Sequence, residues 1–236
     1  MSAAVLKKQF ESELGGLLDW QSRPAPDTVP TGIAEVDDAI GGLPRGSLTE
    51  IFGPASSGRT SLLISILATA TARQESCALV DAADAFDPAS AEAAGVLLDR
   101  VLWIRCGHNA EHALKAVDLL IQGGGFGLVA MDLGDTRPAI ARRISMVSWF
   151  RLRRAVEYTP TVLVTLARQS NAKTCASLIL ECAREGVAWT GAWTGAGDRA
   201  RTGARPCSRL LRGMSIRVAR RKPSATGAAH VLLPLW

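Results

Sequence analysis

The sequence predicts an α/β domain with a parallel central sheet, helices on both faces and antiparallel edge strands at the C-terminus. Three observations carry that prediction. Between residues 48 and 166, short apolar runs alternate with longer stretches of helical periodicity. A glycine-rich turn, Gly53–Thr60, separates one such run from the helix after it. Beyond residue 176 the apolar runs are joined by Gly- and Arg-rich segments with no helical pattern between them. Parallel strands need crossover connections and, when covered on both faces, read as continuous apolar runs. Strands in series without helices pair antiparallel.

In chain order, residues 1–22 read as a helical arm, because Val5, Phe10, Leu14, Leu17 and Leu18 share one face of a helix. The arm suits docking on a neighbouring subunit or lying as a lid on its own core. Residues 23–30 form a linker, since prolines oppose regular structure. The core spans 31–236. Its expected elements are a strand at Leu48–Phe52, a helix at Arg59–Arg73 and strands at Cys77–Val80 and Val101–Ile104. A helix capped by Asn109 then runs to about Ile121, followed by a strand at Leu128–Met131 ending at Asp132. One basic amphipathic helix over Ala139–Glu157 precedes the strand Thr161–Leu166. Tail strands are expected at Ser177–Cys182, Ser208–Val218 and His230–Leu235. Residues near 188–207, with a tandem AWTG, read as a long, flexible Gly/Arg-rich loop.

The segment Gly53-Pro54-Ala55-Ser56-Ser57-Gly58-Arg59-Thr60 has the composition of a phosphate-binding loop. Glycines let backbone N–H groups converge on phosphate oxygens, and the following helix adds partial positive charge. Thr60 stands where a hydroxyl holds Mg²⁺, and Ser61 follows it. Asp132, at the end of an apolar strand, fits the acidic position that orients the metal. Arg59 replaces the lysine of the motif. Its guanidinium keeps the charge but is larger, planar and forked, so the exchange alters placement.

From Thr31 onward, TGIAEVDDAIGGLPRGSLTEIFGPASSGRTSLL resembles the opening of the RecA recombinase core. The likeness continues through CALVDAADAFDPASAEAAGVLLDRVLWIR, the Asp132 strand and VLVTLARQS, over about residues 30–185. It implies a RecA-like P-loop fold that takes ATP and Mg²⁺. Nucleotide contacts are implied at Gly53, Pro54, Ala55, Ser56, Ser57, Gly58, Arg59, Thr60, Ser61 and Asp87, and metal contacts at Thr60 and Asp132.

This sequence also departs from the RecA pattern. Where the family has a glutamate that activates water, a gapless match places Ala83, with Asp84 next to it. Alanine cannot accept a proton, so ATPase activity is expected to be weak or absent. The γ-phosphate-sensing glutamine matches Leu166, or Gln169 only with a shifted register, and the DNA-binding loop is reduced to ARQSNAKTCA. In overall plan the chain is most similar to the ImuA group of RecA-like proteins. That likeness implies an adaptor in SOS-induced translesion mutagenesis, with an ImuB-like polymerase homologue or RecA as partner and homo-oligomers possible. Two alternatives stand beside it: an active DNA-dependent ATPase of the recombinase type, and a cell-division inhibitor resembling SulA.

Charge is divided along the chain. Residues 1–136 hold 9 Lys/Arg against 18 Asp/Glu, whereas residues 137–236 hold 18 against 4. The basic half suits nucleic acid or an acidic protein, or it neutralises the acidic half. The candidate DNA contacts are Arg199, Arg201, Arg205, Arg209, Arg212, Arg220, Arg221 and Lys222. Trp149 and Phe150, set among arginines, are expected to pack inward. No apolar run is long enough for a membrane span, and the odd set of five cysteines without a C-x-x-C pair suits reduced thiols. A cytoplasmic protein is the expectation.

Overall fold

The computed structural model describes residues 27–189, 211–223 and 228–234. The expected arm, the first half of the linker and most of the Gly/Arg-rich loop lie outside these residues. An eight-stranded sheet forms the centre, in the order β10-β9-β8-β3-β7-β6-β4-β5. Its strands are β3 (Ser47–Phe52), β4 (Cys77–Asp81), β5 (Val101–Arg105), β6 (Leu128–Asp132), β7 (Val162–Ala167), β8 (Leu178–Trp189), β9 (Leu211–Lys222) and β10 (Ala228–Pro234). Strands β3 to β7 are parallel, and β8 joins them parallel to β3. From β8 outward the sheet turns antiparallel through β9 and β10. The short strands β1 (Thr28–Val29) and β2 (Leu43–Pro44) pair separately.

Helices cover both faces, as the continuous apolar strands require. On one face α2 (Arg59–Ala72) buries Leu62, Leu63, Ile66, Leu67 and Ala70 against Ile51, Leu79, Leu128 and Val164. The short helices α1 (Ala34–Ile40) and α3 (Pro88–Ala93) lie on this side too, α1 against β9 and β10. On the other face α4 (Ala110–Gly123) buries Ala113, Val117 and Ile121, and α6 (Met146–Val156) buries Trp149, Leu152 and Val156. The Asn109 side chain caps α4 by accepting the N–H groups of Glu111 and His112 at 2.9 and 3.1 Å.

Four expectations need correction. The basic helix expected over Ala139–Glu157 is broken: α5 (Pro138–Ala141) stops, and α6 starts afresh after Ser145, whose hydroxyl accepts the Ser148 N–H at 3.1 Å. A serine that caps a new helix competes with continuation of the old one. Strand β8 runs on to Trp189, past the expected Cys182 and into the segment read as loop, because it pairs with β9 along its length. Phe150 is 46% exposed, whereas its neighbour Trp149 is buried as expected. Helix α1 and strands β1 and β2 were not anticipated, being too short to show periodicity.

Candidate phosphate-binding site

Strand β3 ends at Phe52, the chain turns through Gly53–Gly58, and α2 starts at Arg59. This places the loop at the carboxyl end of a central strand, where open α/β sheets bind ligands. Gly58 adopts φ +86°, a left-handed conformation that side chains resist. A Cβ there would lie 2.8 Å from the Ile216 Cδ1 on β9, and one on Gly53 would collide with the Cys182 carbonyl on β8. The antiparallel wing therefore supports the loop from behind. Pro54, Ala55, Ser56 and Thr60 remain exposed, whereas Ser57 is buried and Ser61 partly so.

Arg59 is only 6% exposed. Its guanidinium crosses to the segment after β6, where Nη2 donates to the Gly134 carbonyl at 3.4 Å. The same carbonyl accepts from Arg168 Nε at 3.1 Å, and Arg168 also pairs with Asp135 at 3.4 Å. Burial lowers the Arg59 pKa, opposed by the charge of Asp132. Asp132 accepts the Gly134 N–H at 2.6 Å. Burial raises its carboxyl to about pKa 6, against the Gly134 hydrogen bond and the Arg59 charge. Sequence reasoning placed Arg59 at the loop and Asp132 at the end of β6; the fold brings their charges together, with Asp132 acting on the Arg59 pKa.

Two buried polar atoms of the loop have no partner among the described residues: Ser57 Oγ and Arg59 Nη1. An unsatisfied buried donor costs about 1–3 kcal/mol, and an oxyanion is an acceptor that relieves it. This donor set suits phosphate. The exposed Thr60 hydroxyl and an Asp132 carboxyl engaged through one oxygen suit a divalent cation.

The remaining predicted residues are distributed differently. Asp87 caps α3, accepting the Ser90 N–H at 3.1 Å, and its bonds with Ser90 lower its pKa. Ala83 is buried, its N–H donating to Asp81 at 3.1 Å. Asp84 faces Arg105 at 3.4 Å. Leu166 is fully buried, and Gln169 accepts a hydrogen bond from Arg142. Among the candidate DNA contacts, Arg221 pairs with Glu181, and Lys222 donates to the Thr174 carbonyl at 2.9 Å and to that of Ala176. Arg220 lies on β9 with a buried Nε that has no partner among the described residues, and Arg212 lies on the same strand. Arg199, Arg201, Arg205 and Arg209 fall outside the described residues.

Sequence reasoning missed Glu50. It lies fully buried in β3 and accepts from Ser170 Oγ at 2.6 Å, Asn171 N at 2.5 Å and Ala172 N at 2.9 Å. A lone carboxylate inside an apolar strand was its visible signal. It ties the strand leading into the phosphate loop to the segment after β7.

Fold and loop together define an α/β nucleotide-loop domain of the RecA-like class. The chain belongs to the RecA family: the family's RecA N-terminal domain matches residues 3–138. It is similar to the RecA protein of Rickettsia bellii, 37% identical over 136 residues, which is 56% of this chain and 39% of the relative. It is also similar to those of Chloroflexus aurantiacus, 33% identical over 159 residues (61% and 45%), and Deinococcus radiodurans, 32% over 160 residues (61% and 44%). The chain spans less than half the length of these curated relatives.

Proposed function

We propose that this protein is a RecA-like adaptor of the DNA-damage response that binds ATP as a structural ligand and turns it over slowly or not at all. The observation that carries this reading is Arg59. The one cationic side chain of the loop donates through Nη2 to Gly134 within the protein, and its buried Nη1 has no partner among the described residues. A lysine ammonium is a compact charge on a flexible stem, whereas this guanidinium is a planar fork buried against the segment after β6. Ala83, where the family pattern has its water-activating glutamate, supports the same reading, because a methyl group moves no proton.

In this reading Gly53 to Ser61 hold the phosphates, Asp87 lies toward the nucleotide, and Thr60 with Asp132 hold Mg²⁺. Magnesium supplies charge that offsets the phosphate oxygens. Arg59 and Ser57 contribute donors that are already buried, so little reorganisation is needed to meet an anion. The adaptor acts in the cytoplasm in SOS-induced translesion mutagenesis, with an ImuB-like polymerase homologue or RecA as partner. DNA is a further ligand through Arg199, Arg201, Arg205, Arg209, Arg212, Arg220, Arg221 and Lys222.

Mg-ATP titration followed by tryptophan fluorescence, beside a phosphate-release assay with single-stranded DNA, tests the reading. Saturable binding that Thr60→Ala weakens, with phosphate release no higher than in Arg59→Ala, is expected. DNA-stimulated release well above Arg59→Ala identifies a recombinase-type ATPase instead. Absence of Mg-ATP binding removes nucleotide from the proposal. DNA binding through the basic tail is expected to weaken steeply with salt, as phosphate contacts do.

A further inference from the structure

A groove of about 680 Å³ lies between the start of α4 and the segment running from α5 into α6, apart from the phosphate loop. Leu114, Ile140 and Ile144 are the large aliphatic side chains of its lining. Lys115, Arg143 and Arg151 also line it, and Glu111 is the single carboxylate in the lining. Arg151 reaches across to Asp118 at 3.5 Å, which links α6 to α4. Lys115 and Arg143 have no ion-pair partner among the described residues. The break between α5 and α6 creates this arrangement, since it is residues 143–145 that enter the lining.

We propose that this groove docks an acidic, amphipathic segment of a partner protein. Apolar side chains of that segment rest on Leu114, Ile140 and Ile144, and its carboxylates face Lys115 and Arg143. The charge is complementary, and the lining holds aliphatic side chains of the kind that receive the i, i+3, i+4 anchors of a helix. Single-stranded nucleic acid fits less well. Basic grooves that hold it offer aromatic faces for stacking; this groove has no Phe, Tyr or Trp in its lining, His108 is its one aromatic ring, and Trp149 is turned into the core. The proposal does not depend on nucleotide at the loop.

The test uses the whole chain and a fluorescein-labelled peptide of about 16 leucine and glutamate residues with helical spacing. Anisotropy at low salt should show saturable binding. Lys115→Glu with Arg143→Glu should weaken it at least about tenfold, whereas Arg184→Glu on β8 should leave it within about twofold. Both lining side chains are at the surface, and thermal unfolding confirms that the double variant is folded; Lys115→Ala with Arg143→Ala should give a smaller loss in the same direction. Hydrogen exchange should slow in residues 107–115 and 140–151 when peptide is added. No binding to the native chain overturns the proposal, as does an equal loss from Arg184→Glu. It is likewise overturned if oligo-dT displaces the peptide and itself loses binding in the double variant, which makes the groove a nucleic-acid surface.

Discussion

Arg59 and Asp132 bring a loop cation and a strand-end carboxyl to one buried place in the fold. The guanidinium is buried beside the strand end that carries Asp132, and the carboxyl pays for its own burial with a pKa of about 6 against an ordinary 3.8. The folded protein thus binds a proton that the unfolded chain releases. The stability this contributes is fully present below pH 3.8 and is lost as pH rises through 6. Asp132→Asn lacks that loss. Urea denaturation without metal should show the variant gaining about 2 kcal/mol on the parent between pH 4 and pH 7.5. A pH-independent difference would mean that Asp132 is not buried as described. Gly58 gives a second prediction at this scale. Its φ of +86° strains any side chain there, and a methyl group would press on Ile216 and Leu233 at 2.8–3.1 Å. Gly58→Ala should cost about 1–3 kcal/mol in the same assay, with or without nucleotide.

Between elements, Glu50 is the main tie. It joins β3 to residues 170–172, and those residues follow Arg168, which meets the Gly134 carbonyl beside Arg59. The strand before the phosphate loop and the loop after β7 are thereby held in one arrangement. Glu50→Ala leaves a hydroxyl and two buried N–H groups without an acceptor, each costing about 1–3 kcal/mol. A loss of at least about 3 kcal/mol is expected, against about 1 kcal/mol for Ser170→Ala. Near-equal losses would show that the backbone bonds contribute little. The division of the basic helix into α5 and α6 also belongs to this scale, because a continuous helix would not turn Arg143 and Ser145 into the groove.

For the whole molecule, two helical layers cover the faces of the parallel strands, and the antiparallel wing extends the sheet beyond them. Cys77, Cys106, Cys175 and Cys182 are all free and buried in it. Burial pushes Cys77 and Cys182 up to about 12 and raises Cys106 and Cys175 as well. A thiolate is the reactive form, so at pH 8 a thiol reagent should label at most one of the five cysteines rapidly in the native protein. Labelling of all five should coincide with global unfolding. Rapid native reaction of Cys182 would mean that the wing opens away from the phosphate loop.

The parallel strands, the loop between β3 and α2 and the capped start of α4 were legible in the sequence, because each follows from local rules of apolar period, glycine and cap. RecA kinship was legible in the same stretches. What the local pattern did not contain were the direction of Arg59, the partners of Glu50, the length of β8 and the break before Ser145. Those depend on groups far apart in sequence: Gly134 for Arg59, residues 170–172 for Glu50 and β9 for β8. Local chemistry selects which elements form, and only their packing decides which buried charges meet and which remain free to meet a ligand.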